Sequence, residues 1–442
     1  MALMARSYDP IIQDIETRVS DLLSTQVVGT GTQANWELAR DRALALARTS
    51  PDLYGEDEDT LEEVSKAVAD DLYLLGPLED LLADPDVSEI MVNAPNDVRI
   101  ETGGKIINTD YHFRDDAHVM RTIQRIADAD NRRCDNTNPM CDCTLHRKGA
   151  MFDGSRVNAV AMPIAVDHPL LDIRKFSKDK LSCADLIKYG TMDERIEGFL
   201  RGLVEARMNI IIMGGTGSGK TTLLNAMSNF IPDDQRIITV EDTAELSLQK
   251  SHVLRMEARQ ANIEGAGAVS IRQIIINTLR QRPDRIVVGE CRGPEAFDML
   301  QAMGTGHDGS LTTIHANDTR GAIARLQMMI QMSEAGEAMP QSAIMQVITS
   351  AVDFVVEIRR FPDGTRKVNN IAEIQGMQDD GHGRSVATMA SIMRFQMEGY
   401  TDDGRVMGSF GATGERMSEG HMMRFATNGV DIDDGWFQQW TL

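Results

Sequence analysis

Residues 209–227 constrain the fold more tightly than any other stretch. Asn209-Ile210-Ile211-Ile212-Met213 is an apolar strand candidate. It runs into Gly214-Gly215-Thr216-Gly217-Ser218-Gly219-Lys220-Thr221-Thr222, and the helical pattern Leu223-Leu224-Asn225-Ala226-Met227 follows. The spacing from Gly214 to Thr221 is G-x-x-x-x-G-K-T, a phosphate-binding loop between strand and helix. Glycines let backbone N–H groups curl around phosphate oxygens without Cβ clashes, and the helix adds its positive N-terminal end. Lys220 is placed to reach the β- and γ-phosphates, and the Thr221 hydroxyl to ligate Mg²⁺.

The rest of the second half repeats the strand–helix alternation. Apolar strand candidates at 236–240, 253–256, 285–288 and 309–314 alternate with helical stretches, which predicts an α/β domain with a mainly parallel sheet and helices on both faces. Two further strands are expected at 354–359 and 371–375, joined by a turn at Pro362-Asp363-Gly364. The expected organisation is a helical extension (1–75), an α+β domain (76–177), a linker (178–190), the α/β domain (191–378) and a small Gly-, Asp- and Met-rich lobe (379–442). In the α+β domain, 88–93 and 98–101 read as strands, 119–130 as a helix and 153–160 as a turn into a strand.

The chain carries 442 residues and a formal net charge of −22. That balance argues against broad nucleic-acid binding, which depends on clustered Lys and Arg. No apolar run approaches the roughly 20 residues that span a bilayer, and the start shows no apolar signal core. The expectation is a cytoplasmic protein that meets a membrane only through partners. The five cysteines are expected to be reduced. Cys134, Cys141, Cys143 and His146 are a candidate Zn²⁺ set, although their spacing matches no common zinc-finger pattern. The 27 methionines include Met328, Met329 and Met332 on one helix, where core packing is the default and a subunit contact the second reading.

Two acidic motifs follow the phosphate loop. Ile237-Ile238-Thr239-Val240-Glu241-Asp242-Thr243-Ala244-Glu245 clusters carboxylates at a strand end, and Arg285-Ile286-Val287-Val288-Gly289-Glu290 is an apolar strand ending in an acid. Ligands of parallel sheets bind at such carboxyl ends. Phosphoryl transfer needs acids that hold Mg²⁺ and orient water. Between Gly304 and Asp318, His307 and His315 bracket a hydroxyl-rich segment, and His315 is a candidate for sensing or polarising the γ-phosphate.

In this order the four motifs resemble the secretion-type ATPase superfamily, which powers type II and type IV secretion, type IV pili and related machines. Arg292-Gly293-Pro294-Glu295-Ala296, Glu89-Ile90-Met91-Val92-Asn93, Asp153-Gly154-Ser155-Arg156-Val157-Asn158 and Ile173-Arg174-Lys175-Phe176 extend the likeness, whose details are most similar to the Tad/Flp-pilus branch. The resemblance implies a RecA-like motor domain, ATP and Mg²⁺ as ligands, and a homo-hexamer working on an inner-membrane platform protein. It implies Glu245 as catalytic base, and Glu290 as the acid serving Mg²⁺ and the attacking water. Arg255 and Arg259 correspond to charge-neutralising residues, and Arg156 and Arg174 to amino-terminal positions that close onto the nucleotide. Alternatives are a motor of conjugative DNA transfer, a weakly hydrolysing nucleotide-regulated ring and, weakest, a small-molecule kinase, which would not need the histidine box.

Overall fold

The structure is a computed structural model that describes residues 6–23, 33–146, 153–175, 181–261 and 265–439. It divides near residue 178 into two compact units.

The first unit opens with α1 (Asp9–Leu23), α2 (Gln33–Ala47) and α3 (Glu58–Tyr73). Ile12, Ile15, Val19 and Leu23 of α1 meet Val64 and Val68 of α3, while α2 buries Ala39, Ala43 and Ala47. Small residues four apart let the helices approach closely, so the leucines Leu38, Leu44 and Leu46 flank the contact rather than form it. Within the acidic stretch 56–59, Asp57 caps α3 by accepting the Thr60 N–H at 2.8 Å.

After α4 (Glu79–Ala83) come β1 (Val87–Ala94), β2 (Asp97–Thr102), β3 (Lys105–Asn108), α5 (Asp116–Ala129), β4 (Met140–Leu145), β5 (Ser155–Val160) and β6 (Leu170–Arg174). The strands form one antiparallel sheet in the order β3-β2-β1-β6-β5-β4. Its inner face, including Ile90, Val92, Val157, Ala159, Leu171 and Ile173, packs with Val119, Ile123 and Ile126 of α5. The alternation of a strand leaves Glu89, Arg156, Asn158, Asp172 and Arg174 on the other face.

The second unit holds α6 (Cys183–Lys188), α7 (Glu194–Glu205), β7 (Ile210–Gly214), α8 (Lys220–Ser228), β8 (Ile237–Glu241), β9 (Val253–Glu257), α9 (Ile271–Thr278), β10 (Arg285–Val288), α10 (Glu295–Gly304) and β11 (Leu311–His315). It continues through α11 (Thr319–Gln331), α12 (Glu334–Glu337), α13 (Gln341–Ala351), β12 (Phe354–Arg360), β13 (Arg366–Asp379), β14 (Ser385–Tyr400), β15 (Val406–Ala412) and α14 (Glu419–Thr427). The strand order is β15-β14-β13-β12-β7-β11-β10-β8-β9. From β12 to β9 every pair is parallel, and from β12 to β15 every pair is antiparallel.

Each central strand feeds two cores. In β7, Ile210 and Ile212 join Phe199, Leu203, Leu223 and Leu224 on one side, whereas Ile211 and Met213 join Ile275, Met299, Leu326 and Ile348 on the other. A strand buried on both faces needs apolar side chains at every position, which explains the unbroken Ile-Ile-Ile-Met run. The fold is therefore the α/β, RecA-like arrangement, with the α+β unit ahead of it. Residues 385–412, read from the sequence as part of a terminal lobe, lengthen this sheet by two strands. On α11, Met329 is buried and Met328 is 57% exposed, and Met332, just past the helix end, is 64% exposed.

Candidate active site

Gly214, the last residue of β7, passes close to the neighbouring strand β12. A Cβ on Gly214 would lie 2.2 Å from the Ile358 carbonyl oxygen of β12, so only glycine fits. Gly217 and Gly219 then take left-handed conformations, with φ of 67° and 95°, and α8 starts at Lys220. Residues 214–219 thus form a curled loop at the N-terminus of a buried helix, with positive partial charge at its mouth. Lys220 is only 7% exposed, and its ammonium donates to the carbonyls of Gly215 (2.9 Å) and Gly214 (3.2 Å).

Parallel pairing brings the other motifs to the same edge of the sheet. His315, the last residue of β11, is in register with Gly214, and its Nε2 lies 3.3 Å from Lys220 Nζ. Glu290 follows β10 on the far side of β11; its Oε1 lies 3.0 Å from His315 Nε2, and its Oε2 accepts from Arg292 at 2.7 Å. Burial and the Lys220 charge hold the His315 imidazole below its ordinary pKa, against the pull of Glu290. Thr313 Oγ1 donates to the Gly289 carbonyl at 2.8 Å and fixes the turn that carries Glu290. Lys220, His315, Glu290 and Arg292 thus form one chain of contacts beside the loop. The Arg292 link was not foreseen from the sequence, where it stood only as part of a family-like string.

The acidic box is shaped by a residue not singled out for this purpose. Glu241, at the end of β8, is 3% exposed, and its Oε1 accepts the N–H groups of Glu245 (2.9 Å) and Leu246 (2.7 Å). Burial pushes its carboxyl up to about 7, although the two N–H groups oppose this. Asn225 of α8 accepts the Ser247 N–H at 3.0 Å, tying the box to the helix behind the phosphate loop. Glu245 is held half-buried by this frame. The exposed Arg255 of β9 donates to the Ala244 carbonyl at 3.0 Å, so it reaches the box. Arg259 instead closes its own loop by donating to the Gly267 carbonyl at 2.6 Å. Among the described residues, no hydrogen bond or ion pair joins it to the cluster.

Arg156 and Arg174 stand opposite each other on the outer face of the first unit's sheet. Arg174 lies 3.6 Å from Glu89, its register partner on β1. The four zinc candidates do not all share one face. Cys141 and Cys143, two apart on β4, both point into the core with Cys134, and burial raises the Cys134 thiol to about 11. His146 has the opposite strand parity, is exposed, and pairs with Asp130 at 2.7 Å. Among the described residues no group of His, Cys, Asp and Glu is arranged to hold a metal ion. The three cysteines thus share the buried side of the sheet, and the histidine does not.

The family model described as type II/IV secretion system protein matches residues 72–392. A protein of Mycobacterium tuberculosis, provisionally named for conjugal transfer, is 35% identical over 70% of this chain and 87% of its own length. The conjugal transfer protein TrbB of Rhizobium radiobacter is 33% identical over 68% of this chain and 87% of that protein. Among solved structures, the VirB11 ATPase of the Brucella suis type IV secretion system, in complex with sulphate, is 25% identical over 71% of this chain and 95% of its own, with a TM-score of 0.36. On a family match that takes in the antiparallel sheet of the first unit and every parallel strand of the second, well over half of the chain, the chain belongs to the type II/IV secretion system protein family.

Proposed function

We propose that this chain is a Mg²⁺-dependent ATPase and the motor of a secretion-type machine. The observation that carries this reading is the convergence of Lys220, His315 and Glu290 at the ends of neighbouring strands beside a glycine loop. A loop that only bound phosphate would not need an acid and an imidazole at that edge. The loop residues 214–222 hold the triphosphate, with Lys220 on its outer phosphates. Thr221 and Glu290 are the residues suited to hold Mg²⁺, which supplies charge neutralisation there. Glu245, framed by Glu241, acts as base toward water. His315 donates toward the γ-phosphate, and Arg255 adds positive charge. Arg156 and Arg174 close from the first unit in the working cycle.

The assembled form is a homo-hexamer that delivers force to an inner-membrane platform protein from the cytoplasmic side. Among the described residues no helix is long and apolar enough to cross a membrane. Of the machines such a motor serves, Tad/Flp-like pilus assembly is the reading the family-like strings favour. Conjugative transfer is the second reading, favoured by relatives named for conjugal transfer. The test is phosphate release from ATP by the full chain and by Lys220→Ala. Loss of turnover in the variant is expected, and a variant that hydrolyses ATP like the parent removes the loop from the reaction.

A further inference from the structure

A loop that binds phosphate through N–H groups leaves carbonyls that need donors of their own. In a trans peptide the C=O and the next N–H point in opposite directions. Arg366, the first residue of β13, donates from Nε to the Gly217 carbonyl at 2.9 Å. The other end of that peptide, the Ser218 N–H, points across the loop toward the Gly215 carbonyl, 3.4 Å away. A guanidinium on one side of the peptide therefore sets the N–H on the other side.

The β12–β13 hairpin touches the loop at three of its glycines. Besides the Ile358 carbonyl at Gly214, the Arg360 guanidinium lies 3.2 Å from where a Gly217 Cβ would be, and Arg366 Cδ lies 3.3 Å from that of Gly219. The hairpin is itself braced from later in the chain. Asp363 at its tip accepts the Val406 N–H at 2.7 Å, and Phe361 packs on Phe395 with ring centroids 5.8 Å apart. Phe361, Phe395 and Val406 form a small buried cluster of their own. Phe395 and Val406 belong to β14 and β15 and lie beyond residue 392, where the family match ends.

We infer that Arg366 is a positioning residue of the phosphate loop, and that β14 and β15 act on nucleotide affinity by bracing the hairpin that carries it. This rests on the reading of residues 214–222 as the nucleotide site. Arg366 acts through Gly217 rather than on the reacting atoms, so its loss weakens binding in ground and transition state alike.

The experiment titrates full-length protein with a fluorescent ADP (MANT-ADP) and measures steady-state ATP hydrolysis for the parent, Arg366→Ala, Arg366→Lys and Phe395→Ala. In Arg366→Ala the Kd for MANT-ADP and the KM for ATP are expected to rise about tenfold, with kcat within about twofold, the effect of one lost charge-assisted hydrogen bond. Arg366→Lys recovers part of the affinity, and Phe395→Ala shifts Kd in the same direction by a smaller factor. An unchanged Kd in Arg366→Ala overturns the assignment. So does a parallel fall in kcat and thermal midpoint without rescue by lysine, which would make Arg366 a general structural residue. An unchanged Kd in Phe395→Ala overturns the bracing. A parent that fails to bind MANT-ADP sinks the nucleotide site itself, a different failure from either.

Discussion

Gly289 shows how tightly the residues of the site depend on one another. A Cβ at this position would lie 2.9 Å from Cγ of the buried Glu241, whose carboxylate holds the backbone of Glu245. Gly289→Ala is expected to push Glu241 off its two N–H partners, lowering kcat and costing about 1–3 kcal/mol of stability, as overpacking in a core does. Steady-state kinetics and chemical denaturation of the variant check both. The sequence made Lys220, Glu290 and His315 legible because each lies in a short motif whose local order survives folding. Arg292, Arg360 and Arg366 were not legible as site neighbours. The contacts of Arg360 and Arg366 depend on the strand order, which places β12 beside β7, and spacing along the chain does not reveal strand order; the contact of Arg292 with Glu290, two residues away, is local. The Cys134–His146 set is split for a related reason: Cys141 and Cys143 face inward on β4 beside Cys134, whereas His146, just past the strand, is exposed.

At the scale of elements, the C-terminal helix α14 is fastened by charge rather than by apolar area alone. His421 lies 3.0 Å from Asp353 and also bonds Glu373, while Arg424 donates to Asp353 at 2.7 Å. Asp353 in turn accepts the Asn209 N–H at 2.7 Å, joining α14 to the start of the phosphate-loop strand. Burial alone would lower the His421 pKa, but hydrogen bonds to Asp353 and Glu373 outweigh it and raise the group to about 9. A folded-state pKa above the unfolded one gives stability that is complete below about 6.5 and is lost as pH rises through about 9. Thermal unfolding followed from pH 6 to 10 is therefore expected to show a falling midpoint over that window. His421→Gln should flatten this part of the profile.

The parallel strands were readable as isolated apolar runs. By contrast β3, β4 and β6 were missed, and β14 and β15 were placed in a separate lobe. The burial pattern of β14 begins half-buried on both faces, so the alternation that marks a strand is faint there.

At the scale of the whole molecule, the chain pairs an antiparallel α+β unit with a parallel α/β unit, and the proposed motor needs both. The phosphate loop and the acids belong to the second unit, whereas Arg156 and Arg174 belong to the first. If the first unit closes on nucleotide during turnover, Arg174→Ala should lower kcat about tenfold or more while the Kd for ADP stays within about twofold. Equal losses in both would tie Arg174 to ground-state binding instead. The decisive question is whether the site hydrolyses nucleotide or only holds it, and Glu290 separates these. The measurement is ATP turnover by the Glu290→Gln protein beside the parent, with nucleotide binding confirmed for both. A fall in kcat of about a hundredfold or more with binding retained is the expected result. Turnover at the parent rate would contradict the assignment of Glu290 to the chemistry, and with it the account of this edge of the sheet as an ATPase centre.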